Sequence, residues 1–218
     1  MAAQVELHDL AQRTIPGWVA YREGTEFLVR GGPPSETILA TAAECAADLI
    51  VVGTHARGFV SRALFGSVTS RLMRDTTVPL AVVPSSEMEV ISLTEQGAVS
   101  HLGSVLVPVN LDAGSARQLA FASTLAVGSE REVVLLHVVP PDADSQPPLT
   151  RLQEMAAAVD AHAGVCAVVT HGPVVGVILD RQHRSPAGVV VLGRDPHSPG
   201  RIARELLRGG RAVVVFVP

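Results

Sequence analysis

Five residues in one stretch of the chain have the types and spacing to hold an anion: Gly53, Gly58, Gly66, Ser67 and Thr69. Glycines let a backbone turn sharply and approach a ligand closely. A helix that starts at Ser67 has free N–H groups in its first turn, and the hydroxyls of Ser67 and Thr69 add donors there. A phosphate suits such a cradle. The same residues would also serve a plain strand end at Gly53 and a helix cap at Ser67. Two apolar, β-branched runs, 49–53 and 79–83, flank the loop and a helix over 67–74. Strands buried on both faces have this composition. Strand, crossover helix and second strand form one βαβ unit, whose loop lies at the carboxyl end of the first strand, the ligand end of an open α/β sheet.

The stretch 48–84 resembles the nucleotide loop of the universal stress protein family, written glycine, two residues, glycine, nine residues, glycine, then serine or threonine. Gly53, Gly66 and Ser67 match in spacing, as do the strand before the loop and the VPLAVVP after it, while Ala56 stands where the second glycine belongs. A methyl group at that place crowds a phosphate or forbids a positive φ, so it bears on the ligand more than on the fold. The resemblance implies an α/β fold of open parallel sheets with helices on both faces and strand order 3-2-1-4-5. It also implies a non-catalytic adenine-nucleotide module of the stress response, binding ATP with magnesium in attendance. The residues it assigns to the nucleotide are Val52, Gly53, Ala56, Gly66, Ser67, Val68 and Thr69.

Composition narrows the alternatives. The chain has 218 residues, 47% of them hydrophobic and 17% charged, enough to bury a core. All 17 basic residues are arginine, which excludes a P-loop lysine, a Schiff-base lysine and a lysine general base together. A net charge of −4 and aromatics at 3% argue against nucleic acid as a partner. Arg57, Arg62, Arg71 and Arg74 gather near the glycine loop, where they could meet phosphates or simply form a solvated helix face with Asp75. No apolar run is long enough to span a bilayer, and Glu6 and Asp9 interrupt the amino terminus, so no membrane and a cytoplasmic location are expected. Cys45 and Cys166 lack metal-ligand spacing and are expected as buried, reduced thiols.

The elements that must position the loop follow from periodicity. A helix is expected over 4–14, a short strand over 26–30, and a helix from a Ser35 cap to about 47. After Pro84 a polar stretch, 85–101, reads as a linker with at most a brief element around 88–93. Strands then fall at 105–109, 133–139, 165–170, 189–193 and 212–217, and helices at 115–126, 150–163, 174–182 and 202–208. The last part repeats the first half: VRGGPPSETIL around Gly32 aligns with VTHGPVVGVIL around Gly172, and ADLIVVGTH around Gly53 with AGVVVLGRD around Gly193. The offset, 172 − 32 or 193 − 53, is 140 in both cases. By the terminal prolines the offset is 134, so the second copy has lost six residues in its loop-and-helix region.

The same alignment leaves the first copy without counterparts of 105–109, 115–126 and 133–139. The expected organisation is an incomplete repeat over 1–86 lacking strands 1 and 2, a linker over 87–102, and a complete but motif-degenerate repeat over 103–218. A sheet without its middle exposes unpaired edges, so the first copy is expected to be completed by another chain or poorly ordered. A homodimer through the terminal strands 79–83 and 212–217 is the expected assembly.

Under the resemblance, the adenine half of a site belongs after strand 1, where an aspartate is usual. Asn110 stands there, with Asp112 two residues on, and the loop RDPHSPGR after Gly193 lacks the glycine–serine pair. Catalytic patterns are weaker. No G-x-S-x-G occurs; His55 lies in the glycine loop but reads equally as a packing residue, His137 reads as a core or sheet-end histidine, and His171, His183 and His197 have no zinc spacing. Asp142 and Asp144 fall in a proline-rich loop that reads as solvated. The alternatives to a nucleotide module are a degenerate dimerisation or interaction protein and, with less support, a nucleotide hydrolase.

Overall fold

The computed structural model describes residues 5–6, 9–10, 13, 24–53, 66–84, 91–94, 97–100, 103–127, 131–159, 164–184, 188–194, 201–209 and 212–218. Residues 5–6, 9–10 and 13 are helical, as periodicity predicts, with Arg13 paired to Asp9. The first half contributes helix α1 (Pro34–Glu44), strand β1 (Ile50–Gly53), helix α2 (Ser67–Asp75) and strand β2 (Leu80–Val83). Two short strands, β3 (Ile91–Thr94) and β4 (Gly97–Ser100), pair antiparallel as a hairpin within the expected linker. The second half runs β5 (Val105–Pro108), α3 (Ser115–Ala126), β6 (Val133–Val139), α4 (Gln146–Ala157) and β7 (Val165–His171). It ends with α5 (Val174–Arg184), β8 (Val189–Gly193), α6 (Arg201–Gly209) and β9 (Val213–Val217).

Seven of these strands form one sheet in the order β1-β2-β9-β8-β5-β6-β7. The second half alone reads 3-2-1-4-5 in its own strand numbers, as expected. Its pairings and the β1–β2 pairing are parallel, and β2 and β9 are joined antiparallel, with Leu80 opposite Phe216, Ala81 opposite Val215 and Val82 opposite Val214. Successive side chains point to opposite faces, so each strand feeds two cores. Leu80, Val82, Leu136, Val190, Val214 and Phe216 pack with Leu72 of α2, Ile178 of α5 and Leu206 of α6 on one face. Ala81, Val107, Leu135, Val191, Val213 and Val215 pack with Leu119 of α3 and Leu152 of α4 on the other.

The segments aligned at the offset of 140 share their backbone. Gly32 and Gly172 both take positive φ, 122° and 130°, a conformation open to glycine. Each is followed by a proline whose carbonyl accepts an N–H four residues on, Thr37 to Pro33 and Val177 to Pro173, both at 3.0 Å.

Several expectations need correction. Residues 26–30 form no strand, because strand 3 of this topology pairs with strand 2 and the first half encodes none. The first two strands nevertheless find a neighbour within the chain: β2 lies between β1 and β9, and β9 between β2 and β8. Neither of the terminal strands therefore has a free edge for a partner subunit, and the half-sheet is continued by the second half rather than by another chain. Pro33, not Ser35, occupies the cap of α1, and Ser35 is buried inside the first turn. α1 stops at Glu44 because Ala46 turns left-handed, φ 48°, and the Ala47 N–H donates back to the Ala42 carbonyl at 2.8 Å. α4 starts earlier than expected, with Pro147 in its first turn, where a missing N–H costs nothing. Both thiols are exposed, Cys45 at the cap of α1 and Cys166 on the sheet-edge strand β7. Among the described residues, no helix is long and apolar enough to cross a membrane.

Two outcomes test this architecture. Ala81 is buried between Val51 and Val215, so Ala81→Pro removes a ladder N–H from the middle of the sheet. Urea unfolding should show a loss of about 2–3 kcal/mol, and an unchanged midpoint would contradict an interior β2. Ala46→Gly should raise stability by about 1 kcal/mol in the same assay, by relieving a left-handed alanine.

Candidate functional site

In a sheet of order 3-2-1-4-5 the strand order reverses between strands 1 and 4, here β5 and β8, and the crevice outside their carboxyl ends is where ligands bind in open α/β folds. A cavity of about 210 Å³ opens there. Pro108, Val109 and Asn110 enter it from β5, and Leu192, Gly193 and Arg194 from β8. Its floor is apolar, with Leu136 and Val138 of β6, Ile178 of α5 and Phe216 of β9. Met73 and Thr76 reach it from the first half. The antiparallel join explains their presence: α2 runs back along β1 and β2, so its end reaches the start of β2, which lies beside the carboxyl end of β9.

Polar side chains at the rim mostly brace the walls. Gln118 is buried and donates through Nε2 to the Pro108 carbonyl at 3.1 Å, bridging α3 to the end of β5. Asp112 Oδ1 accepts from the Gly114 N–H at 2.9 Å, the Ser115 N–H at 3.1 Å and the Ser115 hydroxyl at 3.2 Å. That carboxylate holds the start of α3, and Leu111 turns left-handed at φ 61° to bring it there. His137 Nδ1 lies 2.8 Å from the Val109 carbonyl. A carbonyl only accepts, so this nitrogen carries the proton. The Arg194 N–H donates to the Val217 carbonyl at 3.1 Å, and its guanidinium donates across the join to the Thr76 carbonyl, which ends α2. Asn110 remains exposed where it lines the cavity, which Arg117 also lines. The chemistry offered is an apolar slot with a neutral amide and two cations at its rim, which suits a flat ring carrying an anionic group. Among the described residues, no three His, Cys, Asp or Glu side chains gather as for a metal.

The seven residues singled out from the glycine loop lie elsewhere. Val52 packs half-buried against the core and Gly53 ends β1 with open space where a Cβ would stand. Gly66 precedes α2, also facing open space, and Ser67, Val68 and Thr69 form its first turn, Ser67 exposed and Thr69 buried. Ala56, with His55, Arg57 and Arg62, falls outside the described residues. Arg71 pairs with Glu36 at 2.8 Å and Asp75 at 3.5 Å on an exposed helix face. None of the described members of the set lines the cavity. Because the halves join antiparallel, the carboxyl end of β1 lies at the opposite end of the strands from that of β8, so loop and cavity are not two parts of one pocket.

Asn110 and Asp112 were identified by sequence, although Asp112 serves the helix start. Gln118, Arg117 and Arg194 were missed. For Gln118 a signal existed, three residues into a helix that opens beside a strand end. Met73 and Thr76 left no local trace, since only the direction of the join brings them in. A Cβ at Gly193 would stand 2.9 Å from Gln118 Cδ and 3.0 Å from its Oε1. Gly193→Ala should therefore push the amide from the Pro108 carbonyl and cost about 1–2 kcal/mol in chemical denaturation. Gln118→Ala in the same background should recover part of that loss, and strict additivity of the two changes would show that they do not touch.

Residues 2–84 match the sequence model of the universal stress protein family. No curated protein matches the chain. A universal stress protein from Archaeoglobus fulgidus superposes with a TM-score of 0.68 at 19% identity, covering 97% of this chain and 79% of that one. A functionally unknown protein from Pseudomonas aeruginosa gives 0.65 at 16% identity, over 98% of this chain and 76% of that one. A universal stress protein solved in complex with cAMP gives 0.47 at 19% identity, over 54% of this chain and 98% of its own. Residues 2–84 thus match the universal stress protein family, and nearly the whole chain takes the fold of a solved universal stress protein.

Proposed function

We propose that the chain is a non-catalytic adenine-nucleotide-binding module of the universal stress type, with the base in the cavity between β5 and β8. The observation that carries this is the position of the cavity, at the reversal of strand order and with one apolar floor and a polar rim. A purine ring matches the slot formed by Val138, Val174 and Ile178, with Asn110 able to donate to or accept from its edge. The residues of the rim that are tied to backbone carbonyls serve as fixed walls rather than as acids or bases, which supports binding without a chemical step. ATP with magnesium is the ligand the family resemblance suggests. The glycine loop of the first half, through Val52, Gly53, Ala56, Gly66, Ser67, Val68 and Thr69, is a second place where phosphates could be held.

An interaction role without a ligand has its own support. β1 is an end strand of the sheet; Leu49, just before it, and Val51, within it, are 37% and 61% exposed. Among the described residues no strand pairs with that outer edge, unlike β2 and β9, so it could take another strand.

Calorimetric titrations with ATP–magnesium and with AMP decide between them. A saturable heat with either supports the nucleotide role, and none at millimolar concentration of both overturns it. Val174, 39% exposed at the mouth, tolerates a larger side chain, so Val174→Trp should abolish the heat with the melting temperature nearly unchanged. Gly66→Arg should leave it intact. The reverse pattern would move the nucleotide to the glycine loop.

A further inference from the structure

We propose that the cavity prefers a nucleoside monophosphate to the triphosphate, an inference that rests on the nucleotide role above. Three observations converge. First, among the described residues the charged side chains lining the cavity are Arg117, Arg194 and Asp112, two cations against one carboxylate. That balances a single phosphate far better than three. Asp112 Oδ1 is already engaged by two N–H groups and a hydroxyl.

Second, a polyphosphate tail needs a run of backbone N–H donors beyond the end of strand 4. Between Gly53 and Gly66 the first half has twelve residues, 54–65, none of them proline. Between Gly193 and Gly200 the second half has six, 194–199, and two of these, Pro196 and Pro199, have no N–H to give. The position after the last glycine, Ser67 in the first half, is Arg201 in the second, and its guanidinium lies 3.4 Å from Glu205. The hydroxyl donor is gone and a carboxylate stands within reach of its replacement.

Third, Arg194 is held in place. Its backbone N–H is bonded to Val217 and its guanidinium spends one donor on the Thr76 carbonyl. The planar fork keeps further donors for one anionic group at a fixed location, at the carboxyl end of β8 and on the cavity wall. One anchored guanidinium suits one phosphate.

The test is calorimetry on the whole chain with adenosine, AMP and ATP–magnesium, each in turn. AMP should bind about tenfold more tightly than either of the others, the effect of one charge-assisted contact. Arg194→Gln should shrink the ratio of AMP to adenosine affinity at least fivefold, with circular dichroism melting confirming a folded protein. Should that variant fail to fold because the bond to Thr76 is lost, Arg117→Gln reads the same ratio. ATP binding as tightly as AMP, or AMP no more tightly than adenosine, overturns the preference while leaving adenine binding in place. Heat with none of the three removes the nucleotide role itself.

Discussion

Three residue pairs between β2 and β9 carry the architecture. A parallel pair of four-residue strands has too little sheet to stand alone, and β9 without β2 would be an open edge of valines and a phenylalanine. Joining them solves both problems at once. Leu80, Val82, Val214 and Phe216 then share one core on one face, while Ala81, Val213 and Val215 share the other. The direction of the join matters as much as its existence. An antiparallel pairing turns the first half end for end, so that α2 finishes where the second half opens its cavity.

The cavity in turn depends on side chains that bind backbone. Gln118 reaches the end of β5, His137 the residue after it, Asp112 the start of α3 and Arg194 the end of α2. Each is polar, and each removes an unpaired carbonyl or N–H that the crevice would otherwise bury at a cost of about 1–3 kcal/mol. These four bonds brace the walls of the slot from within the protein.

Much of this was legible in the residues. The run over 133–139 and the helix over 115–126 coincide with β6 and α3, because an almost continuous apolar strand and an amphipathic helix leave clear patterns. Gly32 and Gly172, matched by sequence, share a backbone that only glycine adopts freely. What local patterning does not encode is the neighbour. Residues 26–30 have strand composition and no strand to pair with; Cys166 sits in a strand whose place at the sheet edge exposes it. The site was legible in part for the same reason. A glycine loop announces itself in one stretch, whereas a pocket assembled from Asn110, Gln118, Arg194 and Met73 requires knowing which strands adjoin.

α2 runs between the two regions that this chain sets at opposite ends of its strands. Nine residues at 1.5 Å each make a rod of about 13 Å. Its first residue follows Gly66, at the glycine-loop end, and Thr76, just past its last, is held by Arg194 at the cavity. Leu72 and Met73, both buried, clamp its flank against the core. A strut of this kind does not bend over so short a length, so Gly66 at its start and the Thr76 carbonyl at the cavity are held at a fixed separation.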